Sequence, residues 1–241
     1  MTVVPLVDAD IQLVVFDLMG TLIIDDDVVR RAYERALVQA GIARETKDFE
    51  VAIRLVDELR GRPTLVVLTE VLGDPVVAEE ATWAFDDSIL EEVPALQPIE
   101  GAADVLAELA RNQVLVAVTT SFTPEVRRAV LKHLGWSETF AASLSAHGSR
   151  RGHPAPDLLL EAILELRIDS VGQVAIVGDT AADLEAGNRA GAGLVIGVRS
   201  GSAPMESLLA APHTHLVDSV ADLPRVLASP RTVGQRRSSD R

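Results

Sequence analysis

Apolar residues follow one another without interruption in four short stretches of the chain. These stretches are rich in Val, Leu and Ile, and each is closed by a polar residue or a glycine. Strands of parallel sheets are buried on both faces and have this continuous apolar character. The pattern therefore predicts four buried parallel strands, at residues 13–16, 114–118, 174–177 and 194–198.

Between the strands, apolar residues recur every three or four positions. Residues 124–134 and 157–166 both have this spacing, which is that of a helix with one buried face. Strand and helix thus alternate, and the predicted fold class is α/β, a doubly wound parallel sheet covered by helices. In such sheets ligands bind outside the carboxyl ends of the strands.

One segment interrupts the alternation, because residues 25–98 show helical spacing without a convincing strand. It predicts an inserted all-helical cap domain, with residues 1–24 and 99–229 forming the core domain. The run 65–68 has the composition of a strand, but the spacing of its neighbours favours a helix. Residues 230–241 are polar and arginine-rich, and we predict a disordered tail there.

Composition and charge exclude several classes of protein. The 241 residues are 48% hydrophobic and 24% charged, which excludes a disordered or fibrous chain. A net charge of −14 and few aromatic residues argue against nucleic acid and membrane surfaces as partners. There is no cysteine and no apolar run of 18 residues. We expect a cytoplasmic protein by default, a monomer or homodimer with a small-molecule partner.

The end of the first strand carries a candidate nucleophile. Asp17 follows the apolar run and is itself followed by Gly20 and Thr21, which suit a tight backbone turn. A carboxylate can attack phosphorus when a cation screens the repulsion between the two anions. A turn aspartate that caps the next segment is the alternative, and the hexapeptide alone does not decide between them.

Two further strand ends carry polar groups. Asp179 and Asp183 lie four positions apart at the start of a predicted helix and would point the same way, as ligands of a hard metal ion do. Helix capping explains one of them more easily than both. Thr119, Thr120 and Ser121 follow the second strand and could donate to a phosphoryl oxygen, although such clusters are common at strand ends.

The order of these strand ends resembles the four motifs of the haloacid dehalogenase superfamily. The motifs are strand-Asp-x-x-Gly-Thr, strand-Thr, a proline-bearing loop and Gly-Asp-x-x-x-Asp, and the resemblance covers nearly the whole chain. Residues 118–122, 152–157 and 213–224 resemble the phosphonatase-like branch of the superfamily in particular.

The resemblance implies a phosphatase-type hydrolase of small phosphorylated metabolites. Asp17 would form an aspartyl-phosphate, and Thr119 and Thr120 would hold the phosphoryl group. Magnesium would be the cofactor, and the ligands implied for it are Asp17, the backbone carbonyl of Met19, Asp179 and Asp183.

The chain departs from the superfamily pattern at three points. Met19 stands where phosphatases carry an acid/base aspartate, and a thioether transfers no proton. Phosphonatases use a cap lysine, but Lys47 and Lys132 are the two lysines of the chain and neither falls at that position, which lies near Arg62. His153 stands where the third motif offers a lysine or arginine, with Arg150 and Arg151 as alternative cations.

Three functions follow from these departures. The first is a phosphatase for activated phosphates such as acyl or enol phosphates, whose leaving groups need little protonation. The second is a phosphonatase-like or repurposed enzyme acting on a phosphonate or a biosynthetic intermediate, and the third is a protein that binds without turnover. The cap residues that would contact the substrate, or that simply pack in helices, are Tyr33, Trp83, Phe85, Asp86 and Asp87.

Overall fold

A six-stranded sheet forms the centre of the protein, of which the computed structural model describes residues 11–146, 150–201 and 203–228. All neighbouring strands are parallel, and the order across the sheet is β3-β2-β1-β4-β5-β6. The strands are β1 Leu13–Phe16, β2 Leu115–Thr120, β3 Ala142–Ser145, β4 Val174–Gly178, β5 Leu194–Val198 and β6 His215–Val217.

Ten α-helices surround and extend this sheet in the described part of the chain. Four of them follow β1 directly: α1 Val28–Gln39, α2 Lys47–Glu58, α3 Thr64–Leu72 and α4 Pro75–Glu92. The other six alternate with the remaining strands: α5 Ala102–Arg111, α6 Pro124–His133, α7 Asp157–Glu165, α8 Ala181–Ala190, α9 Met205–Ala210 and α10 Leu223–Leu227. Short 3₁₀ helices lie at Val93–Ala95, Val171–Gln173 and Val220–Asp222.

Both faces of the central strand are buried, which explains why its sequence is apolar throughout. Successive side chains of a strand point to opposite faces. Val14 and Phe16 belong to the large cluster that continues into α1–α4, whereas Leu13 and Val15 pack in a second cluster with residues of α7. The sheet is therefore covered by helices on both sides, and the predicted fold class is confirmed.

The chain leaves and re-enters the core at adjacent positions. Ile23 forms an antiparallel bridge with Pro98, and the N–H of Ile24 donates to the carbonyl of Gln97 at 3.0 Å. Between these two crossing segments every regular element is a helix, which confirms the predicted helical insertion. The boundaries after residues 24 and 98 stay a prediction.

Several details differ from the sequence-based expectations. The second strand begins one residue late and continues to Thr120, so Thr119 and Thr120 lie within it. Strands β3 and β6 were not predicted. The run 65–68 lies in helix α3, as the spacing favoured. The predicted tail at residues 230–241 lies outside the described residues, and none of the described helices has the length and apolarity that a membrane span requires.

Candidate active site

Three aspartates meet at the carboxyl end of the two central strands. Asp17 follows β1 and Asp179 follows β4, and these strands are neighbours with Phe16 beside Val177. Asp183 lies in the first turn of α8. One carboxylate oxygen from each of the three lies within 4.8 Å of the others. The two sequence motifs that are farthest apart along the chain thus form a single site.

Two glycines allow backbone to approach the carboxylate of Asp179. Gly20 has a φ of +81°, and a side-chain carbon there would lie 2.4 Å from Asp179 Oδ2. A side-chain carbon on Gly201 would lie 1.9 Å from the same oxygen. The hydroxyl of Thr21 donates to Asp179 Oδ1 at 3.3 Å. The turn after β1 therefore holds Asp179 in place.

A capping box fixes Asp183. The N–H of Asp183 donates to Thr180 Oγ1, and the backbone N–H and the hydroxyl of Thr180 donate to Asp183 Oδ2 at 3.0 and 2.8 Å. Helix capping thus explains the hydrogen bonds to one carboxylate oxygen of Asp183, but it does not explain the position of Asp179. Sequence reasoning missed Thr180, although Thr-x-x-Asp before a helix resembles the capping-box pattern.

His153 is the cationic candidate that reaches the carboxylates. Its Nδ1 lies 2.7 Å from Asp183 Oδ1, and the residue is buried. Its Nε2 is also buried and has no hydrogen-bond partner among the described residues. Arg150 pairs with Glu161 and Arg151 with Asp157 on the surface. Of the three alternatives offered by the third motif, the histidine is therefore the one beside the metal-ligand candidates.

The electrostatics of the site favour the binding of a cation. Burial, followed by repulsion from Asp183 and Asp179, raises the pKa of Asp17 well above its usual value. Burial, followed by repulsion from Asp183 and Asp25, raises the pKa of Asp179 in the same direction. Three carboxylates this close repel one another unless a positive charge lies between them.

The donor set fits magnesium. Hard divalent cations prefer carboxylate oxygens, and Mg²⁺ takes one or two such ligands together with water and substrate phosphates. Asp17, Asp179 and Asp183 offer oxygens of this kind at one point, and the contacts described above fix the positions of Asp179 and Asp183.

The hydroxyls of β2 differ from each other in their hydrogen bonding. Thr119 is fully buried, and its Oγ1 has no hydrogen-bond partner among the described residues. Oγ1 of Thr120 accepts from the N–H of Phe122 at 3.3 Å. An unpaired buried hydroxyl is costly in a folded protein, so Thr119 has an unused donor at this end of the sheet.

Among the described residues near this site, two acid/base groups of the superfamily pattern have no counterpart. Met19 is partly buried against the large apolar cluster. Lys47 begins α2 and Lys132 lies near the end of α6, and both side chains are exposed. Neither lysine is among the described residues that line the cavity beside the site.

A cavity of about 1010 Å³ separates the cap helices from the core and adjoins this site through His153. Trp83 and Asp86 of α4 line it, and Trp83 is 65% exposed. Tyr33 and Phe85 are buried instead, with ring centroids 4.6 Å apart, so they pack between helices. Asp87 is exposed and is not among the described lining residues.

Asp86 joins the cap to the core. Its Oδ2 accepts from the hydroxyl of Thr123 at 2.7 Å, and Thr123 is the N-cap residue of α6. Burial, together with repulsion from Glu125 and Asp87, raises the pKa of Asp86, which the bond from Thr123 partly offsets.

Comparison with known proteins agrees with this geometry. The sequence model of haloacid dehalogenase-like hydrolases matches residues 11–191, which include all three aspartates and His153. The chain belongs to this family.

Relatives of known activity are distant. A validoxylamine A 7'-phosphate phosphatase from Streptomyces hygroscopicus subsp. limoneus is 25% identical over 75% of this chain and 82% of its own length. A phosphonoacetaldehyde hydrolase from Bordetella pertussis is 30% identical over 58% of this chain. A bifunctional riboflavin kinase/FMN phosphatase from Arabidopsis thaliana is 25% identical over 87% of this chain. The chain spans 54% of the Arabidopsis protein and 60% of the Bordetella protein.

Solved structures share the fold of this haloacid dehalogenase-like hydrolase. A hydrolase from Pseudomonas syringae has a TM-score of 0.78 and is 20% identical over 89% of this chain and 96% of its own. A phosphonoacetaldehyde hydrolase-like protein from Oleispira antarctica has a TM-score of 0.75 and is 22% identical over 92% of both chains. At these identities the solved structures show a shared fold, and the phosphonatase-like branch has only weak support.

Proposed function

We propose that this protein is a magnesium-dependent phosphatase that acts on a small phosphorylated metabolite through an aspartyl-phosphate on Asp17. The observation that carries the proposal is the convergence of Asp17, Asp179 and Asp183. One carboxylate oxygen of each lies within 4.8 Å of the others at the carboxyl end of the strands. Membership of the hydrolase family and relatives named as phosphatases support the same reaction type.

Asp17 acts as the nucleophile in this proposal. Its carboxylate forms a bond to phosphorus while the bond from phosphorus to the leaving group breaks, which releases the alcohol or acid of the substrate as its anion. Water then attacks the phosphorus of the aspartyl-phosphate, its proton passes to the solvent, and inorganic phosphate and the free carboxylate result. Magnesium, held by Asp17, the carbonyl of Met19, Asp179 and Asp183, would neutralise the charge that otherwise keeps the anionic nucleophile from the anionic substrate.

The neighbouring side chains orient the phosphoryl group. The unused hydroxyl of Thr119 donates to a phosphoryl oxygen, and Thr120 stabilises the turn after β2 by accepting from Phe122. His153 contacts Oδ1 of Asp183, whereas the capping box holds Oδ2. The cap covers the cavity, excludes water and contacts the remainder of the substrate.

Met19 limits the range of substrates. Without an acid at this position the leaving group departs unprotonated, and loss of general acid catalysis costs on the order of 10²- to 10⁴-fold. Acyl phosphates and enol phosphates have leaving groups that need little protonation. We therefore infer that an activated phosphate, not a simple alkyl ester, is the substrate.

The phosphonatase alternative is less well supported. The Bordetella relative is named for phosphonoacetaldehyde, but a Schiff base needs a lysine in the cavity. Lys47 and Lys132 are exposed outside it, and Arg62, which does line the cavity, cannot form an imine.

Release of inorganic phosphate tests the proposal. The wild-type protein and Asp17→Asn are compared on a panel of acyl phosphates, enol phosphates, alkyl phosphates and phosphonates, with magnesium and with a chelator. We expect magnesium-dependent release that is fastest for the activated phosphates and absent in Asp17→Asn. Release that persists in Asp17→Asn, or in the chelator, would contradict the nucleophile or the metal, respectively.

A further inference from the structure

The core wall of the cavity carries a cluster of three arginines, Arg127, Arg128 and Arg150. Arg128 and Arg150 line the cavity, and Arg128 forms no ion pair with any described residue. Arg127 lies next to them, half-buried, with Nη1 donating to Ser145 Oγ at 2.9 Å. Its Nε is buried and has no hydrogen-bond partner within the described ranges.

Within this arginine cluster, Arg150 already has a carboxylate partner, Glu161 at 2.6 Å, whereas Arg127 and Arg128 have no carboxylate partner among the described residues. Burial lowers the pKa of Arg127, and repulsion from Arg128 and Arg150 lowers it further. Guanidinium groups nevertheless stay charged at neutral pH, so a further anion bound between Arg127, Arg128 and Arg150 would lower their mutual repulsion. Of the described residues that line the cavity, five are arginines and three carry carboxylates, in a chain whose net charge is −14. Three of these arginines pair with carboxylates outside the lining, and the two without such a partner among the described residues are Arg62 and Arg128.

The cap wall of the same cavity offers an apolar surface. Trp83 is 65% exposed, and Leu65 and Val66 are 41% and 43% exposed. Exposed large apolar side chains that line one concave surface are typical of binding sites. The volume of about 1010 Å³ lies at the upper end of the usual range for small-molecule pockets, roughly 300–1000 Å³.

We propose that the substrate carries a second anionic group, distinct from the transferred phosphoryl group, which binds Arg128 and Arg150 while the body of the substrate lies against Trp83. The proposal rests on the proposed function, because the phosphoryl group is the end that binds near Asp17. Guanidinium groups bind carboxylate and phosphate alike, with two parallel hydrogen bonds. The cavity thus selects a doubly anionic metabolite larger than a two-carbon phosphate.

Binding of paired phosphonates tests this inference without any turnover. Phosphonoalkanoates of increasing chain length are compared by calorimetry with alkylphosphonates of the same length, in the presence of magnesium. A hydrogen bond to a charged group contributes enough for us to expect roughly 10-fold tighter binding of the phosphonoalkanoate at the best length. Trp83 provides a second readout, since its fluorescence should change on binding while the other tryptophan, Trp136, is buried.

The variants separate the arginine cluster from general charge effects. Arg128→Gln should abolish the preference, leave the affinity for the alkylphosphonate unchanged and keep the melting temperature, because Arg128 is exposed and forms no ion pair with any described residue. Arg111→Gln is the matched control, since Arg111 is exposed on α5 and does not line the cavity. It should keep the preference.

Three results would overturn the inference. They are equal affinity for both probes at every length, a preference that survives in Arg128→Gln, and binding of neither probe. None of them depends on phosphate release. A protein that prefers the phosphonoalkanoate but hydrolyses no phosphate would instead contradict the proposed phosphatase function and leave the second anion site standing.

Discussion

Gly61 of the cap lies so close to Thr180 of the core that a methyl group on Gly61 would place its carbon 2.2 Å from Thr180 Oγ1. Thr180 is the residue whose backbone N–H and hydroxyl hold Asp183. The loop between α2 and α3 therefore touches the group that orients one of the metal-ligand candidates. A shift of the cap would therefore move Thr180, and with it the carboxylate of Asp183.

Gly61→Ala should reduce turnover by more than its cost in stability explains. Both Gly61 and Gly73 have positive φ, +83° and +68°, so alanine at either costs about 1–2 kcal/mol of backbone strain. Only at Gly61 does the new methyl group also displace Thr180, because nothing lies within 4 Å at Gly73.

Urea unfolding and steady-state kinetics of the two variants check this expectation. Similar losses of stability together with a fall in kcat for Gly61→Ala alone would support the link between cap and carboxylates. Equal activity in the two variants would show that the contact with Thr180 has no part in turnover.

Thr119→Val should stabilise the protein and impair it as an enzyme. Valine has nearly the shape of threonine and removes a buried hydroxyl without a partner, which we expect to gain about 1 kcal/mol. If that hydroxyl donates to the phosphoryl group, phosphate release should fall by about 10-fold or more.

Thr120→Val is the control for Thr119→Val. It removes an acceptor of the Phe122 N–H, so it should destabilise the protein. Thermal melting and phosphate release are measured for both. Full activity in Thr119→Val would remove Thr119 from the phosphoryl site.

Met19→Asp should raise the rate on alkyl phosphate esters, because it supplies a proton donor for a poor leaving group. The gain should lie within the range of roughly 10²- to 10⁴-fold that general acid catalysis contributes. Met19→Asn is similarly polar and similar in size but cannot transfer a proton, so it should give no gain. Steady-state rates of both variants are measured on one alkyl phosphate, which needs a proton donor, and on one acyl phosphate, which does not. An unchanged rate on the alkyl phosphate in Met19→Asp would contradict the interpretation that Met19 replaces the missing acid.

The metal-free protein should lose stability as the pH rises. The pKa values of Asp17 and Asp179 are raised in the folded state, so folding favours their protonated forms. The stability that this contributes is fully present below the unfolded pKa of about 3.9 and is lost as pH rises through the raised folded values.

Melting temperatures over a pH series, in a chelator and in magnesium, test this pH dependence. Magnesium should restore the stability lost at neutral pH, and Asp179→Asn should flatten the pH dependence in the chelator. A chelator profile that rises with pH over this range would contradict the direction of both shifts.

Much of the sheet could be predicted from sequence because the central strands are buried on both faces. β1, β4 and β5 are apolar throughout, and the predicted bounds agree with the structure within one residue. The unpredicted strands β3 and β6 are the two edges of the sheet, where a strand has a neighbour on one side only. Their sequences, ASLS and HLV, have no continuous apolar run.

The position of β3 at the edge of the sheet also explains why the predicted end of β2, residue 118, is wrong. Its last residues, Thr119 and Thr120, pair with Leu144 and Ser145 of the unpredicted edge strand β3. A pattern of side chains could not reveal them as strand, because the pairing that makes them so is formed by backbone atoms of a distant segment.

The aspartates of the site were predictable because each follows a strand or a helix start that the pattern places at one end of the sheet. The hydrogen bond between His153 and Asp183 and the contact between Gly61 and Thr180 could not be predicted from the sequence. The first depends on how a loop of the core folds against the start of α8, and the second on how a loop of the helical insertion meets the core. No periodicity along the chain encodes either contact.

Ile23 and Pro98 are bridged side by side where the chain crosses between the core and the helical insertion. Removing everything between them would leave two ends already within reach of a short turn, so joining them adds little loop-closure entropy. The helical insertion can therefore be replaced as a unit during evolution, which would change substrate selection. The catalytic residues at the ends of the strands would keep their positions.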